Sequence, residues 1–218
     1  MHILCLHGAG SNSRVFEIQT AAIRYELGDN HTYDFIEGNI SASMQPGIEL
    51  IATKDEPMYA YFHEKNPESG VAAYRHLEEL LYHEGPYDGV IAFSQAGTLI
   101  LTYLAYLAKQ KPNSPLPFKF AIILSITHPP LDYGAIQSGE IRTIDLGAYK
   151  DVVRIPTAHI WGSQDRAASA IAVTNTICAA GVRWVYVHAL GHDIPRAGAR
   201  SDVTQTVHVI RRVIDAAS

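Results

Sequence analysis

The chain has little of what several protein classes require. It has two cysteines in 218 residues, Cys5 and Cys178, each in an apolar stretch. That argues against a disulfide framework and for reduced core thiols in an intracellular, cytoplasmic protein. No run of about 18 apolar residues occurs, so no membrane span is expected. The first residues read directly as a strand, with no basic n-region or cleavage site, so no leader is expected. Basic residues are not in excess: 17 Lys and Arg stand against 22 Asp and Glu, for a net charge of −5. This argues against a nucleic-acid partner. Gly-x-x-x-x-Gly-Lys, Gly-x-Gly-x-x-Gly, His-Glu-x-x-His and paired Cys spacings are all missing, so no phosphate loop, metal or other cofactor is expected. His76, Glu79 and His83 share one side of a predicted helix, and a solvated face accounts for them.

What is present is alternation. Segments 1–6, 32–37, 87–93, 118–125, 157–162 and 183–188 read as strands, with the apolar runs at 1–6 and 118–125 read as buried ones. Helical spacing follows most of them: from a cap at Ser11 or Asn12 to Gly28, then over 70–84, 95–109, 167–180 and 203–216. Strands alternating with helices predict a mostly parallel six-stranded α/β sheet with helices on both faces, in one domain over 1–218. Two proline-punctuated connections, 39–69 and 126–150, are too long for simple turns and are expected to be lid or pocket loops.

In such a sheet ligands bind beyond the carboxyl ends of the strands. Four strand ends carry chemistry there. The first delivers the glycine-rich turn His7-Gly-Ala-Gly-Ser-Asn12, which can bring the Ala9 N–H against a substrate oxygen. The third runs through Tyr87-Asp-Gly-Val-Ile-Ala-Phe-Ser94 straight into an apolar helix, the arrangement of a nucleophile elbow. The fifth leads to Asp165 and the last to Gly191-His192-Asp193. A serine hydroxyl needs a base within hydrogen-bond reach, and the base needs an acid to fix its tautomer. His192 suits the base, because His7 belongs to the glycine turn and His159 and His188 sit in or beside strands. Asp165 suits the acid; Asp193 is adjacent to His192 and points away, and Asp132 and Asp145 lie in an unassigned loop. Ser94, Asp165 and His192 occur in the chain order of a hydrolase triad, and the Gln95 N–H is the second oxyanion donor.

Four stretches together resemble a known family: Leu4-Cys-Leu-His-Gly-Ala-Gly-Ser-Asn12, Tyr87 to Gln95, Pro156-Thr-Ala-His-Ile-Trp-Gly-Ser-Gln-Asp165 and Gly191-His-Asp-Ile-Pro195. They look like the FSH serine hydrolases, best known from fungi. The resemblance implies a compact α/β-hydrolase fold. It also implies esterase or thioesterase activity on a small-molecule acyl ester or thioester, in some members releasing a polyketide from an acyl carrier protein. Two departures stand out. Ala92-Phe-Ser-Gln-Ala96 replaces the usual Gly-Phe-Ser-Gln-Gly, and Arg166-Ala-Ala-Ser follows the acid where the family tends to have apolar β-branched residues. The altered elbow also leaves open a non-hydrolytic partner that binds a hydrophobic metabolite or steers its cyclisation.

Substrate contacts are expected from the two long connections. Met58, Tyr59, Tyr61, Phe62, Tyr133 and Tyr149 would give an apolar, aromatic pocket that favours medium acyl chains over acetyl, unless they serve to pin the loops to the domain. Arg196 and Arg200, just past His192, could meet an acidic carrier protein or the phosphate of a pantetheine arm; a solvated helix approach is the simpler reading.

Overall fold

The computed structural model describes all of residues 1–218. Strand β1 (His2–Leu6) enters helix α1 (Ser13–Leu27), whose N-terminus is capped by Asn12: its side-chain oxygen accepts from Val15 N at 2.8 Å. Then come β2 (Thr32–Ile36), β3 (Ile40–Ala42), β4 (Met58–Ala60) and α2 (Pro67–His83). After these, β5 (Gly89–Phe93), α3 (Gln95–Gln110), β6 (Phe120–Leu124), α4 (Tyr133–Gln137) and β7 (Thr157–Gly162) lead to α5 (Ala168–Thr174), β8 (Arg183–His188) and α6 (Arg200–Ala216). No helix is long and apolar enough to cross a membrane.

Six strands form one parallel sheet in the order β2-β1-β5-β6-β7-β8. The period-two side-chain alternation divides the core. Leu4, Leu6, Val90, Ala92, Ala121 and Ile123 face α2, α3 and α4. Ile3, Cys5, Ile91, Ile122, Leu124 and Ile160 face α1 and α6. From β1 the chain moves outward to β2, and from β5 it moves the other way through β8. The order therefore reverses between β1 and β5, and such a switch point opens a crevice at the strands' carboxyl ends.

The elements depart from expectation in four places, one of them α4, a short helix inside the 126–150 connection. The 39–69 connection contains a short antiparallel hairpin, β3 with β4, in strands of three residues that are too brief to show alternation. Pro67 begins α2 instead of punctuating a loop, since a helix's first position tolerates a missing N–H. The helix expected over 167–180 ends at Thr174 and continues as a 3₁₀ turn, Asn175–Ile177. Cys178 thus bridges to Val153 in extended backbone instead of sitting in a helix. Arg183 takes up the released carbonyls, donating to Asn175 O at 2.7 Å and Cys178 O at 3.0 Å. Both cysteines are buried and free, and burial pushes both thiols up, Cys178 to about 12.

Candidate active site

Ser94 stands between β5 and α3 with φ 58° and ψ −118°. A non-glycine residue there is strained, by about 1–3 kcal/mol. The turn is held from both sides: Ser94 N donates to Leu124 O at 2.9 Å, and Thr98 N donates to Ser94 O at 3.2 Å. The sharp turn thus forms although Ala92 and Ala96, both fully buried, occupy the usual glycine positions. The close approach falls one residue later. A Cβ on Gly97 would lie 2.9 Å from Ile126 Cγ2 and 3.3 Å from Ile123 Cγ2.

His192 reaches this serine from the loop after β8. Its Nε2 lies 2.8 Å from Ser94 Oγ, and its Nδ1 lies 2.7 Å from Asp165 Oδ2. Asp165 is buried, and its other oxygen accepts from Ala167 N at 2.9 Å. Facing a carboxylate acceptor, Nδ1 carries the ring proton, so Nε2 presents a lone pair to the serine hydroxyl. The two loops are joined by backbone and amide bonds: Ser163 N to His188 O at 2.8 Å, Gln164 N to Leu190 O at 3.1 Å, and Gln164 Nε2 to Ala189 O at 2.7 Å. Gly162 permits this contact, since a Cβ there would fall 2.0 Å from Leu190 O. The Phe93 ring lies 5.2 Å from the imidazole.

The other acids make other bonds. Asp193 accepts from Ile194 N and pairs with Arg196 at 2.6 Å, so Arg196 is not a free cation for a carrier. Asp132 caps α4 and pairs with Arg142, and Asp145 accepts from Gly147 N. Two buried histidines are structural in setting. Burial holds His159 down to about 3, and burial likewise lowers His188.

Neither the Ala9 nor the Gln95 N–H donates to a protein acceptor, and both residues border a cavity together with Ser94. The Gln95 side chain is a clamp: its Oε1 accepts from Tyr61 N and its Nε2 donates to Phe62 O, each at 2.9 Å. His7 braces the glycine turn, with Nε2 accepting from Gly38 N at 2.9 Å and Nδ1 donating to Gly8 O at 2.7 Å.

The serine hydrolase (FSH1) family model matches residues 1–203. The chain belongs to this family of serine hydrolases. It is 34% identical over 217 residues to esterase FPY3 of Fusarium mangiferae, covering 98% of this chain and 97% of that one. It is 29% identical over 196 residues to hydrolase phiM of a fungal species, covering 89% and 86%. Among solved structures, SOBER1 of Arabidopsis thaliana superposes with a TM-score of 0.59 at 16% identity, over 98% of this chain and 99% of that one. Acyl-protein thioesterase 2 of Zea mays superposes with a TM-score of 0.55 at 16% identity, over 94% and 93%. The fold is that of the α/β-hydrolases, and the chain is a serine hydrolase of the esterase kind.

Two cavities meet at this hydrolase's Ser94 and His192, and both are bordered by Ala9, Gln45 and Pro46. The smaller, about 180 Å³, lies between the glycine turn and the 39–69 connection and reaches Ser11, Gln19, Ile48 and Asp193. The larger, about 540 Å³, runs the other way past Glu64, Thr127, Gln164 and Arg166. The expected aromatic lining is not there. Tyr61, Phe62 and Tyr133 belong to the main core, and Met58 packs with Val15 and Ile48. The Tyr61 hydroxyl is spent within the fold, accepting from His7 N at 3.1 Å and donating to Ile36 O at 3.0 Å. Tyr133 packs edge-on against Tyr74 and Tyr106, at 4.4 and 4.7 Å between ring centroids. Tyr59 is half-buried and tied through its backbone to Gly10 and Ser11. The Tyr149 ring receives Lys109 Nζ at 5.0 Å. These side chains pin the loops. The cavity walls use Gln45, Pro46, Glu64 and Gln164, of which only the Gln164 motif and the proline-marked connection gave a sequence signal.

Proposed function

We propose that Ser94 is the nucleophile of an ester- or thioester-cleaving reaction through an acyl-enzyme. His192 takes the Ser94 proton and returns it to the leaving group. Asp165 holds the imidazole in the tautomer that can accept, and the Ala9 and Gln95 N–H groups receive the oxyanion. The reading is carried by the unbroken Ser94–His192–Asp165 relay, at 2.8 and 2.7 Å. It is also supported by family membership and by the strained elbow, which presents the hydroxyl. With the elbow formed, nothing favours a non-hydrolytic role. On this reading residues 1–218 act as one domain, with the 39–69 connection walling both cavities. Release of an acyl chain from a carrier protein stays within it as one source of thioester; Arg200, at the start of α6, remains for such a partner.

The test is covalent labelling with a fluorophosphonate, which requires an activated hydroxyl. Wild type should label at Ser94 and hydrolyse p-nitrophenyl acetate. Ser94→Ala should lose the label and about 10⁴–10⁶ in rate while keeping its melting temperature. Activity within tenfold of wild type in Ser94→Ala would sink the assignment.

A further inference from the structure

The smaller cavity is lined by two residues whose polar atoms the fold leaves unpaired. Helix α1 buries Val15, Phe16, Gln19, Thr20, Ile23 and Leu27, a single stripe that would ordinarily be apolar throughout. Gln19 interrupts it. The residue is 4% exposed, and its Oε1 has no hydrogen-bond partner. Ser11, also 4% exposed, has an Oγ in the same condition. Both residues line the cavity of about 180 Å³ that contains Ser94 and His192. A buried amide oxygen without a donor costs about 1–3 kcal/mol, so an unpaired one beside a cavity has room for a partner from outside the fold. Thr20, the next residue on the stripe, shows the alternative, because its hydroxyl donates to Phe16 O at 2.8 Å.

We propose that this cavity is a subsite for a short, hydroxyl-bearing moiety of the substrate, read by Gln19 and Ser11. Both oxygens are closed off from the cavity space as they stand, so a side-chain turn brings them to it; a hydroxyl then fits both, donating to Gln19 Oε1 and accepting from the Ser11 hydroxyl. The volume holds about six water-sized groups at roughly 30 Å³ each, so the moiety is short. Gln45 and Asp193 add further polar groups to the lining. The inference rests on Ser94 being the nucleophile. It replaces the expectation of a medium alkyl chain, which would strand these polar groups without water or partner.

Two matched ester pairs test it: ethyl butanoate against ethyl 3-hydroxybutanoate, with the hydroxyl on the acyl side, and propyl acetate against 3-hydroxypropyl acetate, with the hydroxyl on the alcohol side. Wild type should prefer the hydroxylated member of one pair by about tenfold or more in kcat/KM, a site built for a hydroxyl discriminating against its absence. The pair that shows the preference identifies the half of the ester that enters the cavity. Gln19→Leu should bring that ratio to within about twofold of one, and Ser11→Ala should lower it. Gln19→Leu should also raise the unfolding midpoint by about 2–4 °C, because an unpaired buried amide is removed. A structural glutamine would lower it on replacement. Ratios near one for both pairs in wild type, or a preference that survives Gln19→Leu, would overturn the subsite; a fixed water satisfying both atoms would give the first result. Failure of wild type to take the fluorophosphonate label would instead overturn the assignment of Ser94, and the subsite with it, whereas labelling without turnover of any of the four esters would overturn the subsite alone.

Discussion

Replacing Asp165 by Asn should cripple this enzyme through one proton. In the wild-type chain two N–H donors face the carboxylate: Ala167 N at 2.9 Å from Oδ1 and His192 Nδ1 at 2.7 Å from Oδ2. Asparagine brings one oxygen for those two donors. If that oxygen stays with Ala167, its NH₂ faces Nδ1, which must then accept. The ring proton moves to Nε2, and the lone pair directed at Ser94 is gone. The opposite rotamer sets the new NH₂ against the Ala167 N–H, at about 1–3 kcal/mol, which leaves roughly one molecule in five to one in two hundred with the useful tautomer. Loss of the charge that stabilises the imidazolium comes on top. Triads altered in this way lose about 10⁴ in kcat, or roughly 5.5 kcal/mol of barrier. The side chains are isosteric, so thermal melting should move by only a few degrees. The assay is kcat/KM for p-nitrophenyl acetate beside a melting curve. A loss of less than fivefold, with the fold intact, would refute both the tautomer argument and the role given to Asp165.

Gly162→Ala should cost at least tenfold in activity and lower the unfolding midpoint, because its Cβ would fall 2.0 Å from the Leu190 carbonyl oxygen and push away the loop that ends in His192; wild-type kinetics in this variant would show that the loop does not position the base. Ala96→Gly should leave kcat within about twofold and cost about 0.5–1 kcal/mol in urea unfolding, since the turn already accommodates the methyl group; a tenfold gain in kcat would show that the alanine strains the elbow. Acid should destabilise the fold through His159, which burial holds neutral down to about 3 while the unfolded chain protonates near 6.5. With the folded value lowered, this contribution is whole above pH 6.5 and is lost as pH falls toward 3. It amounts to about 2 kcal/mol between pH 7 and pH 5. His159→Leu should remove that much of the pH dependence in urea unfolding, and an unchanged difference between the two pH values would exclude His159 as its source.

The sheet was legible because its central strands are buried on both faces. Runs such as Phe-Ala-Ile-Ile-Leu in β6 and Gly-Val-Ile-Ala-Phe in β5 need no tertiary knowledge to be read as central parallel strands. The relay was legible for a related reason: in a parallel sheet every strand points its carboxyl end at the same edge. Residues 94, 165 and 192 could therefore be assigned to one rim without knowing the strand order. The hairpin of β3 and β4 was not readable, because three residues carry too little alternation. Its stability comes from partners distant in sequence, with Gly10 N bonded to Tyr59 O and Tyr59 N to Ser11 O, each at 2.8 Å.

The cavity lining differs from the aromatic pocket that the sequence suggests, for a physical reason. Aromatic residues in a long connection report how much surface the connection must bury, and Tyr61, Phe62 and Tyr133 bury theirs in the core. Lining residues need no such signature, since Gln45 and Glu64 look like any polar loop residue. The informative positions were instead polar residues placed where a helix stripe should be apolar, because burying a polar group requires a partner. Thr98 and Thr102 break the face of α3, and each has one: Thr98 Oγ1 donates to His128 O at 3.1 Å, and Thr102 Oγ1 accepts from Leu131 N at 2.9 Å, tethering the loop after β6. Gln19 breaks the face of α1 in the same way, yet its carbonyl oxygen meets no donor in the protein, and the residue lines the cavity at Ser94. The same sequence signal thus separates into two meanings once partners are known: in α3 a satisfied polar group holds a loop, and in α1 an unsatisfied one beside Ser94 is, on the proposed reading, the group that a substrate hydroxyl would meet.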